Sequence, residues 1–152
     1  VVRHHTGSPE AELEVDTRFE QRRRNMRTTG FNWHELMSRD PDKSERFYRA
    51  VTGVDFQAVD VPDRDYRLLI IEGRPVAGMT GPAPGRDDWP SGGPEGHWVC
   101  YFQTEDVDEA AAQTKDHGGD VLVPPLDIPG TGRAAVLRDP DGATFGVFAS
   151  AT

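Results

Sequence analysis

The chain has 152 residues, 36% of them hydrophobic, and a formal net charge of −9. That length fits one ordinary domain, and the acidity excludes the basic face that a nucleic-acid partner requires. No run approaches the roughly 20 apolar residues of a membrane helix, no apolar signal core follows the N-terminus, and a lone cysteine, Cys100, excludes a disulfide framework or a multi-cysteine zinc cage. The expectation is a cytoplasmic protein with a small-molecule ligand, and with neither a nucleic-acid nor a membrane partner.

Residues 1–30 stand apart. They carry six arginines against five acids, whereas the remaining chain carries eleven Lys and Arg against 21 acids. A Gly-Ser-Pro break at Gly7 to Pro9 precedes a polar, helix-compatible run from Glu10 to Arg24, in which Leu13, Val15 and Phe19 are too few to make a core. Met26 is a candidate start, so the segment reads as an extension or tail. Its Arg22-Arg23-Arg24 run is a solvated tail or, alternatively, a recognition patch.

From Phe31 onward the chain repeats itself with a shift of 66 residues. An apolar, β-prone run, Phe31 to Met37, is matched by Trp98 to Phe102. Asp40 and Asp106 follow as N-caps that can accept unpaired helix amides. One helix comes next in each copy. Phe47, Ala50 and Val51 define the apolar spacing in the first, and Ala110, Ala111 and Thr114 in the second. Gly53 and Gly118-Gly119 stop the helices.

Strands are predicted at Val54 to Val59, Tyr66 to Ile71 and Val76 to Met79, then at Val121 to Val123, Arg133 to Arg138 and Thr144 to Phe148. Turns fall at Pro62-Asp63, Glu72-Gly73, Pro129-Gly130 and Asp139 to Gly142. The result is an α+β domain over residues 31–150 made of two βαβββ modules, 31–81 and 96–150. The 82–95 linker sits in the Gly/Pro-rich stretch Gly81 to Gly96. With Trp89 at its middle, that stretch is a plain connector or a lid.

These residues resemble the vicinal oxygen chelate (VOC) superfamily, which includes glyoxalase I, extradiol dioxygenases, and fosfomycin and bleomycin resistance proteins. The likeness rests on Asp40, Phe47-Tyr48 and Gly53 in the first module. In the second it rests on Trp98 to Phe102, Asp106-Val107-Asp108, Gly118-Gly119 and Asp139-Pro140-Asp141-Gly142 with Phe145. It implies two half-open cups forming one cup-shaped mixed sheet, a homodimer, and a divalent metal held by His, Glu or Gln on the first and fourth strand of each module. Carried onto this sequence, those positions fall on Trp33, Val99, Gly146 and near Gly78, none of which can bind a metal. The expectation is therefore no metal and no cofactor. His34, beside Trp33, alternates to the helix side as a structural histidine. A slip of two residues would bring His97 to the ligand position and restore a metal-dependent glyoxalase or dioxygenase reading.

Period-2 alternation predicts the cup lining: Phe31, Trp33, Glu35 and Met37 from the first strand, His97, Val99, Tyr101 and Gln103 from the fifth, and Thr144, Gly146 and Phe148 from the last. Leu36, Cys100, Phe102, Phe145 and Val147 then face the helices, making Cys100 an inert core thiol. An aromatic bowl with few polar groups suits an organic ligand, and Trp33, Trp89 and Trp98 with the net acidity favour a hydrophobic or cationic one. Glu35, desolvated in this setting, is the candidate general base, with Tyr101 or His97 as acid. Alternatively, Glu35 is solvated or paired with Arg67 or Arg133. The functions in play are a metal-free binding protein for a metabolite or drug-like molecule, a metal-independent lyase, isomerase or hydrolase, and a bare interaction module.

Overall fold

A computed structural model describes residues 30–82, 84–86 and 96–151. The N-terminal extension, Trp89 and most of the 82–95 linker lie outside the described residues. Eight strands and two helices follow in the expected order: β1 (Phe31–Met37), α1 (Pro41–Thr52), β2 (Asp55–Val61), β3 (Arg64–Ile71), β4 (Arg74–Pro82), β5 (His97–Gln103), α2 (Val107–Asp116), β6 (Asp120–Ile128), β7 (Gly132–Arg138) and β8 (Thr144–Ser150). Among the described residues no helix is long and apolar enough to cross a membrane.

Both helices begin as their sequences dictate. The Asp40 carboxylate accepts from the Lys43 amide at 3.0 Å, and the Asp106 carboxylate from the Glu109 amide at 2.9 Å, each satisfying one orphan donor of a first turn. Gly53, with φ of 72°, ends α1 in the left-handed region. The β3–β4 hairpin turns through Glu72 and Gly73, both at positive φ, the backbone that a two-residue loop requires to match strand twist.

The strands form a single sheet in the order β2-β3-β4-β1-β5-β8-β7-β6. Within each module the first strand runs parallel to the fourth, β1 to β4 and β5 to β8. The modules join through the antiparallel β1–β5 pair, where Glu35 lies opposite Val99. That seam sets the first strands of the two modules side by side at the middle of the sheet.

The core lies on the helix side in two clusters. Leu36, Val54, Leu69, Ala77 and Met79 fill the first, with Tyr48 and Phe56 packed on them; Val107, Ala111, Ala135, Leu137 and Val147 fill the second. Leu36, Phe102, Phe145 and Val147 thus take the face that alternation assigns them. Cys100 shares it but is only partly buried, opposite His34 and outside both clusters.

Alpha1 departs from its apolar spacing. Phe47 and Val51 are 57% and 64% exposed, and Ala50 is also exposed. The sheet-facing stripe is instead Pro41, Ser44, Glu45 and Tyr48. Ion pairing sets this rotation: Arg67 of β3 donates to Glu45 at 2.6 Å and to Asp42 at 2.7 Å, while also holding Asp65 of its own strand. Two charge-assisted contacts from one guanidinium to the helix, with Asp65 bracing that guanidinium on its own strand, hold this face of α1 toward the sheet. The second module repeats the tie 66 residues on, with Arg133 of β7 holding Asp108 of α2 at 2.8 Å and Asp127 of β6 at 2.9 Å.

Candidate functional site

The face of the sheet away from the helices carries the candidate site. Trp33 and Glu35 of β1 project there beside Val99 and Tyr101 of β5, in the pairs Trp33–Tyr101 and Glu35–Val99. On the other flank of β1, Glu35 is in register with Gly78 of β4, and Gly78 with Leu68 of β3.

Two glycines decide how the cup is filled. A Cβ at Gly78 would collide with the Tyr66 hydroxyl and stand 3.3 Å from the Trp33 Nε1. A Cβ at Gly146 would collide with the Tyr101 ring. Each glycine therefore opens the space that a tyrosine from a neighbouring strand occupies: Tyr66 over β4, Tyr101 over β8.

Glu35 stands among these rings. Burial pushes its carboxyl up to about 7, against a smaller opposing pull from the Arg64 guanidinium and a hydrogen bond from the Trp33 indole. Tyr66 is raised to about 12 by burial and then by the Glu35 charge, with the Trp33 N–H donating to its oxygen in opposition. Tyr101 is raised further by burial, then by Glu35 and Tyr66. The three titratable groups share one electrostatic environment. Arg67 and Arg133, the arginines available to neutralise Glu35 in the alternative reading, are committed to the helix-side carboxylates. Arg64 is the cation that acts on it instead.

Other expected lining residues are placed unequally. Val99 is buried on the cup floor, and His97 lies opposite Met37 at the far end of the pair from Trp33. Gln103 is in register with Phe148, and its side-chain oxygen accepts from Asn32 at 2.6 Å. The Phe148 ring lies over Gly132. Thr144 lies opposite Arg138, at the start of β8.

Phe31 is not part of the cup. An irregularity between Phe31 and Trp33 shifts the β1–β5 register and reverses the side on which Phe31 emerges. Its ring stacks on Phe102 at 4.3 Å, 6.1 Å from His34. Trp98 also leaves the cup. It is 40% exposed, and its indole donates to the Tyr48 hydroxyl at 3.0 Å.

Tyr66 is the site residue that the sequence reading passes over. Its signal is parity: Arg67 is fixed to the helix side by its acids, so Tyr66 must face the cup. A concavity of about 450 Å³ along the β2–β3 hairpin touches Tyr66 and Arg64 but also Glu45, Phe56 and Arg67 of the helix side, and Glu35, Trp33 and Tyr101 do not line it.

A profile of the Glyoxalase/Bleomycin resistance protein/Dioxygenase superfamily matches residues 30–147. The chain belongs to this superfamily. Among curated VOC relatives, "Putative glyoxylase CFP32" of Mycobacterium tuberculosis is 38% identical over 117 residues, covering 76% of this chain and 42% of the relative. "Anthracycline biosynthesis protein DauV" of a Streptomyces species is 32% identical over 127 residues, covering 76% and 45%. The chain thus spans less than half the length of these relatives. Among solved structures, a Streptomyces coelicolor methylmalonyl-CoA epimerase variant in complex with 2-nitronate-propionyl-CoA superimposes with a TM-score of 0.57 at 26% identity, covering 83% of this chain and all of that one. The Mn(II)-bound glyoxalase of Novosphingobium aromaticivorans shares the fold, with a TM-score of 0.53 at 20% identity, covering 82% of this chain and 40% of that one.

The positions to which the resemblance carries the metal ligands, Trp33, Val99, Gly146 and near Gly78, do not fit a metal. Trp33 and Val99 offer no oxygen or imidazole donor, and a donor side chain at Gly78 or Gly146 has no room beside the tyrosines. Among the described residues no three His, Cys, Asp or Glu side chains gather to hold an ion.

Proposed function

We propose that this VOC module binds a small organic ligand in the cup and moves a proton on it with Glu35, as a lyase, isomerase or hydrolase that needs no protein-held metal. One observation carries the reading: a carboxyl sunk among Trp33, Tyr66 and Tyr101 and held near neutrality, where a general base both accepts and returns a proton readily. The relatives' names suggest the panel for a test: acyl-CoA thioesters, 2-oxoaldehydes and polycyclic aromatic polyketides, followed by isothermal titration calorimetry for binding and by product formation for turnover. Glu35→Gln is expected to abolish turnover while keeping binding within a few-fold. Turnover that survives in Glu35→Gln, or that disappears when a chelator strips a stoichiometric metal, overturns the reading.

A second reading is a binding protein without turnover, and the aromatic face of Trp33 and Tyr101 beside one carboxylate supports it for a hydrophobic or cationic ligand. In that case Glu35→Gln changes affinity alone. Exposed Leu122, Leu126 and Ile128 on the β6 edge support self-association, the expected homodimer, which sedimentation velocity checks directly.

A further inference from the structure

The cup is cationic at one end and apolar at the other. β3 pairs without irregularity from Arg64 to Leu69, and within that stretch Asp65 and Arg67 are tied to each other and to α1 on the helix side. Alternation therefore turns Arg64, like Tyr66, to the cup face. Arg64 lies opposite Pro82 of β4, four residues past Gly78, the residue in register with Glu35. Arg67, Arg133 and Arg138 are each held by carboxylates. Arg64 is exposed and has no ion pair among the described residues.

Gly78 and Gly146 mark matched places in the two modules, in register with Glu35 and with Tyr101. Counted from them, Tyr66 corresponds to Ala134 and Arg64 to Gly132. The second module thus ends in a glycine under the Phe148 ring and a buried alanine that belongs to neither core cluster. Val136, opposite Gly146, continues this apolar surface. Glu35 and Tyr101 lie between the two ends.

We propose that Arg64 binds the anionic head, a carboxylate or phosphate, of an elongated ligand whose apolar body runs past Glu35 to the Gly132–Val136 end of the cup. This names the ligand class of the proposed site and rests on the cup being that site. A guanidinium presents its donors in a fork that matches two oxygens of such a head, and at Arg64 no acid of the chain occupies them. From residue 31 onward the chain carries 21 acids against eleven Lys and Arg, so its overall field repels an anion. An anionic head is held in the cup only where a cation stands unpaired. At the other end the apolar surface removes a hydrocarbon or aromatic body from water. Arg64 makes and breaks no bond in this scheme; it sets specificity and fixes which part of the ligand lies beside Glu35.

Calorimetric titration of the full chain with decanoate, decyl phosphate, decanol and decyltrimethylammonium, all below their micelle concentrations, tests this. At least one of the anions is expected to bind about 10-fold more tightly than decanol, and the cation more weakly than decanol. Arg64→Gln should cost that anion about 10- to 100-fold and leave decanol within a few-fold, while Arg64→Lys recovers part of the loss. Val136→Thr should instead weaken every probe alike, whatever its head, with melting curves confirming that each variant folds. Anion affinity no greater than that of decanol, or anion binding that survives unchanged in Arg64→Gln, overturns the proposal. Preference for the cation overturns it in favour of a cationic ligand. The same titrations in Glu35→Gln keep the two readings apart, because failure of Glu35 as the base shows as surviving turnover and leaves the head-group preference in place.

Discussion

The two modules share a plan and differ in how they are held together and in what they offer the cup. Asp42–Arg67 and Asp108–Arg133 are the same helix-to-strand tie 66 residues apart. Yet α2 buries Val107 and Ala111 against its strands, whereas α1 buries only Pro41 and turns Phe47 and Val51 outward. In the cup, Glu35 of the first module is matched by Tyr101 of the second. One half supplies a titratable carboxyl near neutrality, the other a phenol that stays protonated. The scaffold is the same in both modules, and the different residues at positions 35 and 101 make the two sides of the cup unlike.

The sharpest way to break this asymmetry is to remove each member in turn. Glu35→Gln is expected to lower proton-transfer turnover by about 10²- to 10⁴-fold, and Tyr101→Phe by far less. Comparable losses in steady-state rates would make the two halves equal partners in the chemistry.

The next effect is on stability. Because the Glu35 carboxyl is raised to about 7 in the fold from roughly 4.3 in an unfolded chain, the native state binds more protons between those values. Stability should therefore fall as pH rises from about 4.5 to 7 and level off above, a loss on the order of 3 kcal/mol from this group. Urea unfolding at pH 5 and pH 8 measures it, and Glu35→Gln should erase this contribution while Tyr101→Phe keeps it.

Helix packing comes third. Leu137→Ala, under α2, should cost about 3 kcal/mol, while Val51→Ser on the outer face of α1 should stay within about 0.5 kcal/mol. The smallest difference is between the ties. Arg67, 14% exposed and holding three carboxylates, should cost about 1–2 kcal/mol as Arg67→Met. Arg133→Met should lower the melting temperature less, since its partners face solvent.

Much of this fold is legible in the sequence because its signals are local. Asp40, Asp106, Gly53 and the Glu72-Gly73 turn each act through their own backbone, and the 66-residue repeat fixes which strands correspond. Trp33, Glu35 and Tyr101 share a face because alternation puts them there, but the antiparallel register that sets Trp33 opposite Tyr101 and Glu35 opposite Val99 appears only once β1 and β5 are paired. What escapes is non-local. The irregularity that turns Phe31 outward has no residue signature, and the rotation of α1 is set by Arg67, a residue 25 positions from Asp42. Tyr66 joins the site across β4, through a glycine whose role is visible only once the strands are adjacent.

Those glycines also make the site's alternatives mutually exclusive. A histidine or glutamate introduced at position 78 meets the Tyr66 ring, and one at position 146 meets Tyr101. Each such change can be accommodated only if the facing tyrosine is reduced at the same time, so two substitutions that are each harmful alone become tolerable together. The route between a ring-filled cup and a donor-lined one is therefore strongly epistatic, and a library that varies 66 with 78, and 101 with 146, will find sequences that single-site scanning cannot reach.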